Sequence, residues 1–112
     1  MDDWTEEGAR AYLPRLRELL DVLRRAANLG TRARSNGHGA VGEDAKAALA
    51  EIEDRGIVLR DLDRGIVDFP SRHPNGRAVL LCWQSGEDDL SWWHLPEDGF
   101  AGRRPLPLPP DL

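Results

Sequence analysis

The residue types that could perform chemistry concentrate in the second half of this 112-residue chain. Asp61 offers a carboxylate, Cys82 a thiol, His94 an imidazole and Arg103 a guanidinium. Such side chains carry out acid–base, nucleophilic or ligand-binding chemistry when a fold brings them together. Their spacing matches none of the compact motifs, such as CxxC, HxxxH or an EF-hand loop, so the fold itself must assemble any site.

The pair of Cys82 and His94 suggests a nucleophile with its general base. With Gly86-Glu87 as a two-residue turn, Cys82 faces Ser91, and the Cys82 and His94 side chains point to opposite faces of the sheet. A looser loop over residues 85–89 would instead place them diagonally on one face. Because a cysteine in a strand usually behaves as a small hydrophobic residue, we predict no catalytic dyad, and the sequence leans against an enzyme.

A metal site is the next kind of site to consider. Glu87 and His94 occupy opposite ends of one predicted strand, which separates them by about 13 Å or more. That distance excludes a shared ion, because ligand bonds are about 2 Å long. Asp61 and Asp63 remain open as partners of His94, although nothing in the sequence forces them together. With no supporting motif, we predict no metal, and no motif indicates a cofactor.

The aspartates of the first predicted hairpin have structural interpretations. Asp63-Arg64-Gly65 is typical of a three-residue hairpin loop. The register that it predicts pairs Leu62 with Ile66, Arg60 with Asp68 and Leu59 with Phe69. Asp68 is therefore expected to form a cross-strand ion pair with Arg60. Asp61 falls near the turn on the apolar face, where it either accepts turn N–H groups or contributes to a ligand site.

Tryptophan and arginine offer a candidate binding surface. Trp92 and Trp93 are neighbours, so in a strand their side chains point to opposite faces and one is expected to be partly exposed. Arg103 follows a Gly-rich turn that can fold back towards them, and exposed Trp with Arg is typical of binding surfaces. The alternative is that the helices and the proline-rich tail cover both faces. The candidate binding residues are therefore Asp61, Trp93, His94 and Arg103.

The elements that must position these residues form one predicted domain over residues 1–112. Periodicity predicts an α+β fold: an N-terminal antiparallel helix hairpin packed with a small four-stranded antiparallel meander and an extended Pro-rich tail. The predicted segments are helix 1 over 5–29, a flexible loop over 30–42, helix 2 over 43–55, the sheet over 57–94, and a turn and tail over 95–112. Thr5 is the expected N-cap, and Gly30 and Gly56 are the expected stop signals.

Composition narrows the classes of partner and compartment. The net charge of −5 argues against nucleic acid, whose phosphates require surplus Lys and Arg. No apolar run is long enough to predict a membrane span. A single cysteine, Cys82, cannot form an intrachain disulfide, which favours the cytoplasm.

The two helices predict self-association. Leu19, Val22 and Ala26 form a second apolar stripe beside the one that faces the core. Helix 2 spans about 20 Å and helix 1 about 37 Å, so helix 2 is too short to cover both stripes. We predict a homodimer through helix 1 in a four-helix arrangement. The competing prediction is that the sheet and tail cover both stripes within one chain.

Several segments in a fixed order carry a family resemblance: LPRLREL, DLDRGIVDFP, LLCWQSGE, Trp93-His94 and GFAGRRPL. Together they resemble the bacterial domain-of-unknown-function family 2203. The resemblance implies a small cytoplasmic helix-hairpin-plus-sheet protein and brings no activity, substrate or catalytic residue. The predicted function is a self-associating interaction or adaptor module. The alternative is a small-molecule- or metal-binding protein or minor enzyme with a site at the strand ends near Asp61, His94 and Arg103.

Overall fold

A computed structural model describes residues 3–32 and 39–112 of the chain. Two helices are followed by a meander of short strands, which confirms the predicted α+β class. The elements are α1 Glu6–Arg32, α2 Gly39–Asp54, β1 Val58–Asp61, β2 Ile66–Arg72, β3 Ala78–Gln84, β4 Trp92–His94, a 3₁₀ turn Phe100–Gly102 and β5 Arg104–Pro105.

Helix α1 begins where the sequence predicts but ends later. The Thr5 hydroxyl accepts a hydrogen bond of 2.9 Å from the Gly8 N–H, which makes Thr5 the N-cap. The helix passes through Gly30 and ends at Arg32, so the predicted stop at Gly30 is wrong. A glycine inside a helix costs only about 1 kcal/mol, which the packing of α1 against α2 can offset.

Helix α2 begins at Gly39, four residues before its predicted start, so the predicted loop over 30–42 is too long. Residues 33–38 of that predicted loop lie outside the part of the chain that the structure describes. The predicted stop at Gly56 is correct. Gly56 adopts a φ of 74°, its N–H donates to Glu53 O, and the Ile57 N–H donates to Ile52 O. These two bonds form the Schellman motif that glycine favours at a helix end.

The sheet has strand order β1-β2-β3-β4-β5, with every neighbouring pair antiparallel. The meander is the predicted one, but it gains a fifth strand, because Arg104 and Pro105 pair with Trp93 and Trp92. The proline-rich tail then packs against the core through Leu106, Leu108 and Leu112, which are partly buried.

The register of the first hairpin differs from the prediction. Leu59 pairs with Val67 instead of Phe69, and a β-bulge lies between Leu59 and Asp61. The bulge adds one residue to β1, and this shifts the pairing that a regular three-residue loop would set. Gly65 in the turn has a φ of 65°, the left-handed conformation that the loop prediction required.

The hydrophobic core lies between the helix hairpin and one face of the sheet. Alternate strand residues such as Val67, Phe69, Leu81, Trp83 and Trp93 point to this face, where they join the apolar stripe of α1 and Ile52 of α2. Leu19 is only 4% exposed. Part of the stripe that we expected to be exposed is therefore buried within the single chain.

Candidate functional site

Three buried side chains of different chemical types meet on the sheet face that points away from the helices. Asp68 on β2 is opposite Cys82 on β3, and His94 on β4 is opposite Leu80, one pleat away from Cys82. Asp68 and His94 are each 1% exposed, and Cys82 is 0% exposed. One oxygen of Asp68, the Cys82 sulfur and one ring nitrogen of His94 all lie within 4.8 Å of one another.

The shared face corrects the predicted register of Cys82 and His94. The pairs Cys82–Trp92 and Leu80–His94 place the two side chains diagonally on one face. A turn closes at Gln84 O, which accepts the Glu87 N–H, but β4 begins only at Trp92. The longer connection matches the looser of the two loops considered above, and the two-residue turn is wrong.

Both ring nitrogens of His94 are engaged. Nδ1 lies 2.7 Å from the carbonyl oxygen of Leu95, and Nε2 lies 3.0 Å from Asp68 Oδ1. A carbonyl oxygen can only accept, so Nδ1 carries a proton and donates it. The tautomer and the ring orientation are therefore fixed by two neighbours.

Asp68 connects the buried site to the surface. Its Oδ2 accepts a 2.8 Å hydrogen bond from Arg60 Nε, so the predicted Arg60–Asp68 ion pair is confirmed. The prediction missed the contact of Oδ1 with His94 and the burial of the whole carboxylate. No local pattern signals this, because it depends on the place of β2 between β1 and β3 in the interior of the sheet.

The Cys82 thiol is held in its neutral form. Burial, together with the Asp68 carboxylate, raises its pKa to about 12, and the Arg103 guanidinium opposes both effects. A reactive cysteine requires a lowered pKa and access to a substrate. Cys82 has neither, so its environment does not support a nucleophilic role.

Arg103 lies beside this cluster, held in one position. Its Nη1 contacts Glu87 Oε1 at 3.2 Å and Oε2 at 2.9 Å. The guanidinium carbon lies 4.9 Å from the ring centre of Trp92 and 4.2 Å from that of Phe100. The ion pair and the two aromatic rings therefore restrain the cation. Glu87 was considered in the sequence as a turn residue and as a metal ligand, and its partner Arg103 was missed.

The four candidate binding residues separate into two groups. His94 contacts Asp68 and lies close to Cys82, and Arg103 adjoins Cys82. Asp61 instead accepts the Arg64 N–H at 3.0 Å, which is the turn interpretation, and Trp93 is 1% exposed in the core. The structure thus assembles Asp68, Cys82, His94 and Arg103. Ligand binding by the four predicted residues stays a prediction.

A second surface feature runs along the helix hairpin. A groove between α1 and α2, with a cavity volume of about 230 Å³, has an apolar floor that includes Leu19, Val22 and Ala48. Its rim carries both signs of charge, from Arg15, Glu18, Asp44 and Glu51. An adjoining cavity of about 290 Å³ extends it past Val22 to Arg25 and Leu29. We call these two cavities together the hairpin groove.

The comparisons with known proteins give one family match and no activity. In the part of the chain that the structure describes, no helix is long and apolar enough to cross a membrane. No curated protein and no solved structure matches the sequence. The family model of an uncharacterized conserved protein, DUF2203, matches residues 3–106, which is nearly the whole chain. The chain therefore belongs to the DUF2203 family.

Proposed function

We propose that this protein is a self-associating interaction module whose contact surface is the hairpin groove. The observation that carries the proposal is the composition of the groove: an apolar floor at Leu19 and Val22, opening to solvent between two helices. At one end Leu29 is 41% exposed and extends the apolar lining of the groove. The occupant that we infer is the same surface of a second copy.

The charges on the rim support a twofold contact. Arg25 and Asp44 both line the groove and have opposite signs. Across a twofold axis, each copy presents the same patch, so a patch with both signs can pair with itself. Each such exposed pair contributes only about 0–1 kcal/mol, so these charges set orientation more than affinity.

The affinity of this contact is expected to be weak. Complete burial of a leucine contributes about 1.5–3 kcal/mol, so covering the exposed part of Leu29 in both copies contributes about 1–2.5 kcal/mol. Val22 is already half-buried and adds less. These terms alone do not offset an association cost of at least about 4 kcal/mol, so burial of the rest of the groove must supply the difference, and a dimer should form only in the upper part of the range from about 1 µM to 1 mM.

Sedimentation equilibrium over that concentration range tests the proposal. The wild-type mass should rise from 12.5 kDa towards twice that value. Val22→Glu should keep the chain monomeric, because it buries an unpaired carboxylate in the contact. The matched control is Ala11→Glu, at an exposed position on the same helix outside the groove. A wild-type mass of 12.5 kDa at all concentrations, or equal dimerisation of both variants, would contradict the proposal.

We also propose that the module works in the cytoplasm. Cys82 is a free, buried thiol and the single cysteine of the chain, a usage that suits a reducing compartment. Fractionation of cells that express the full chain tests this location. Recovery of the protein outside the cytoplasmic fraction would contradict it.

A further inference from the structure

The buried cluster of Asp68, Cys82 and His94 has the composition of a metal centre. It combines a carboxylate oxygen, a sulfur and an imidazole nitrogen within 4.8 Å of one another, and all three residues are buried. Such a set is uncommon in a core, where charged carboxylates are seldom fully buried. The packing of a small domain does not by itself require these three residue types at one point.

We propose that Asp68, Cys82 and His94 bind one divalent transition-metal ion, with Zn²⁺ as the ion that this ligand set fits best. Zinc takes thiolate, imidazole and carboxylate ligands in four-coordinate sites. Magnesium and calcium prefer sets made entirely of oxygen, so the sulfur and nitrogen select against them. With three protein ligands, the fourth position of a tetrahedral ion falls to a water molecule.

The hydrogen bonds around the ligands orient them towards a common point. Because His94 Nδ1–H donates to the Leu95 carbonyl, the other nitrogen, Nε2, faces Asp68 and Cys82. Metal-binding histidines are commonly fixed in this way by a backbone carbonyl on the far nitrogen. Arg60 similarly holds Asp68 Oδ2 and leaves Oδ1 directed into the cluster. The neighbours of both ligands are thus already in place.

The pairing of the strands sets the distances between the three proposed ligands. Asp68 and His94 lie on the two strands that flank β3, and their side chains reach each other across Cys82 at 3.0 Å. Bonds of about 2.0–2.3 Å to a tetrahedral ion place ligand atoms about 3.3–3.8 Å apart. The three ligand atoms lie within 4.8 Å of one another, and His94 Nε2 and Asp68 Oδ1 are 3.0 Å apart, so an ion requires shifts of about 1 Å at the ligand atoms.

The surrounding charges are compatible with a cation. Arg103 approaches Cys82 from outside and by itself would repel an ion. Its guanidinium is paired with Glu87 at 2.9 Å, which neutralises its charge and holds it in place. On binding, the Cys82 thiol proton is released to solvent and the ion replaces the hydrogen bond between His94 Nε2 and Asp68, so that Asp68 and the Cys82 thiolate supply two negative charges to the divalent ion.

Cobalt substitution tests the site directly. Tag-free protein, freed of metal with a chelator, is titrated with Co²⁺ and, separately by calorimetry, with Zn²⁺. The wild type should bind one ion per chain and develop a thiolate-to-cobalt charge-transfer absorption. Cys82→Ala should abolish that absorption and weaken Zn²⁺ binding at least about 100-fold. This variant retains the Asp68–His94 contact, so its fold, checked by circular dichroism, should survive.

Two further measurements keep the test decisive. Zn²⁺ should raise the melting temperature of the wild type and of the surface control Asp89→Asn, but not that of Cys82→Ala. The absence of a stoichiometric ion and of a thiolate absorption in the wild type would overturn the proposal. Equal Zn²⁺ affinity in the wild type and Cys82→Ala would also overturn it, because the ion would then sit elsewhere.

Discussion

Arginine–carboxylate pairs occur in both halves of the molecule, but in opposite surroundings. On the sheet, the Asp68 side chain is 2% exposed and bonds to both Arg60 and His94. On the hairpin, Glu51 is 26% exposed, and its Arg15 partner is 51% exposed. Water screens the hairpin pair and leaves it little net energy, whereas loss of Arg60 would leave the Asp68 carboxylate as a buried charge with one partner fewer. The same type of ion pair is therefore held in place by burial on the sheet and exposed to water on the helix hairpin.

The largest expected effect is at Asp68. Asp68→Ala removes the acceptor of His94 Nε2 and of Arg60, so we expect a loss of about 3–5 kcal/mol in the free energy of unfolding. Urea unfolding at pH 7 with a chelator present measures it without any contribution from metal. The matched variant is Asp89→Ala, whose carboxylate is 57% exposed and pairs with Arg10, and it should lose less than about 1 kcal/mol. Equal losses would remove the contrast between buried and exposed pairs.

A smaller effect is expected at Gly65, in the turn between β1 and β2, where this turn contacts helix α1. An added Cβ there would lie 1.9 Å from Ser85 Oγ and 2.2 Å from Arg24 Nη2, at a φ of +65°. Gly65→Ala combines this overlap with left-handed strain, so we expect a loss of about 2–3 kcal/mol. Gly76→Ala, at a φ of +95° with no neighbour within 4 Å, isolates the strain and should lose about 1–2 kcal/mol. Equal melting temperatures for the two variants would show that the junction tolerates the overlap.

The Arg15–Glu51 ion pair on the helix hairpin should affect how the free energy of unfolding depends on pH. Hydrogen bonds from Arg15 and Tyr12 lower the pKa of Glu51 from its ordinary 4.5 to about 2. Its stabilising contribution is therefore present above pH 4.5 and is lost as the pH falls towards 2. Glu51→Gln should show a shallower loss of stability in acid than the wild type, by urea unfolding at stepped pH. Glu53→Gln, exposed on the same helix, should follow the wild type. An acid profile of Glu51→Gln identical to that of the wild type would contradict this role.

The smallest effect on folding is expected at Leu29. Its side chain is 41% exposed, so Leu29→Ala should change the free energy of unfolding by less than about 1 kcal/mol while it weakens self-association. Leu20→Ala on the same helix, at 0% exposure, should cost about 2–5 kcal/mol. Unfolding and sedimentation experiments on both variants distinguish an effect on folding stability from an effect on self-association. A large loss in the free energy of unfolding for Leu29→Ala would show that Leu29 belongs to the core and not to the contact surface.

The two helix stops show which local signals predict structure. Gly56 adopts a positive φ and completes a Schellman motif, so local chemistry decides that end. Gly30 carries the same residue type, yet α1 continues to Arg32. Packing against α2 is a tertiary effect, and glycine's modest cost inside a helix does not oppose it strongly. The α+β class was predictable because it depends on periodicity summed over many residues.

The candidate site was less predictable because it depends on single residues in the connections. The length of the β3–β4 connection decides whether Cys82 and His94 share a face, and a bulge in β1 shifts the first hairpin. A change of one residue moves every side chain of a strand to the other face. Asp68 could be predicted as the partner of Arg60, but its contact with His94 spans three strands and leaves no local pattern.

Native mass spectrometry tests the central claim, that the outer face of the sheet holds a metal centre. Freshly purified, tag-free wild-type protein in a volatile buffer with Zn²⁺ should show the 12.5 kDa chain with one additional metal ion, and Cys82→Ala should show the bare chain. A wild-type chain that stays bare in the presence of Zn²⁺ would contradict the account and leave Asp68, Cys82 and His94 as a buried polar contact.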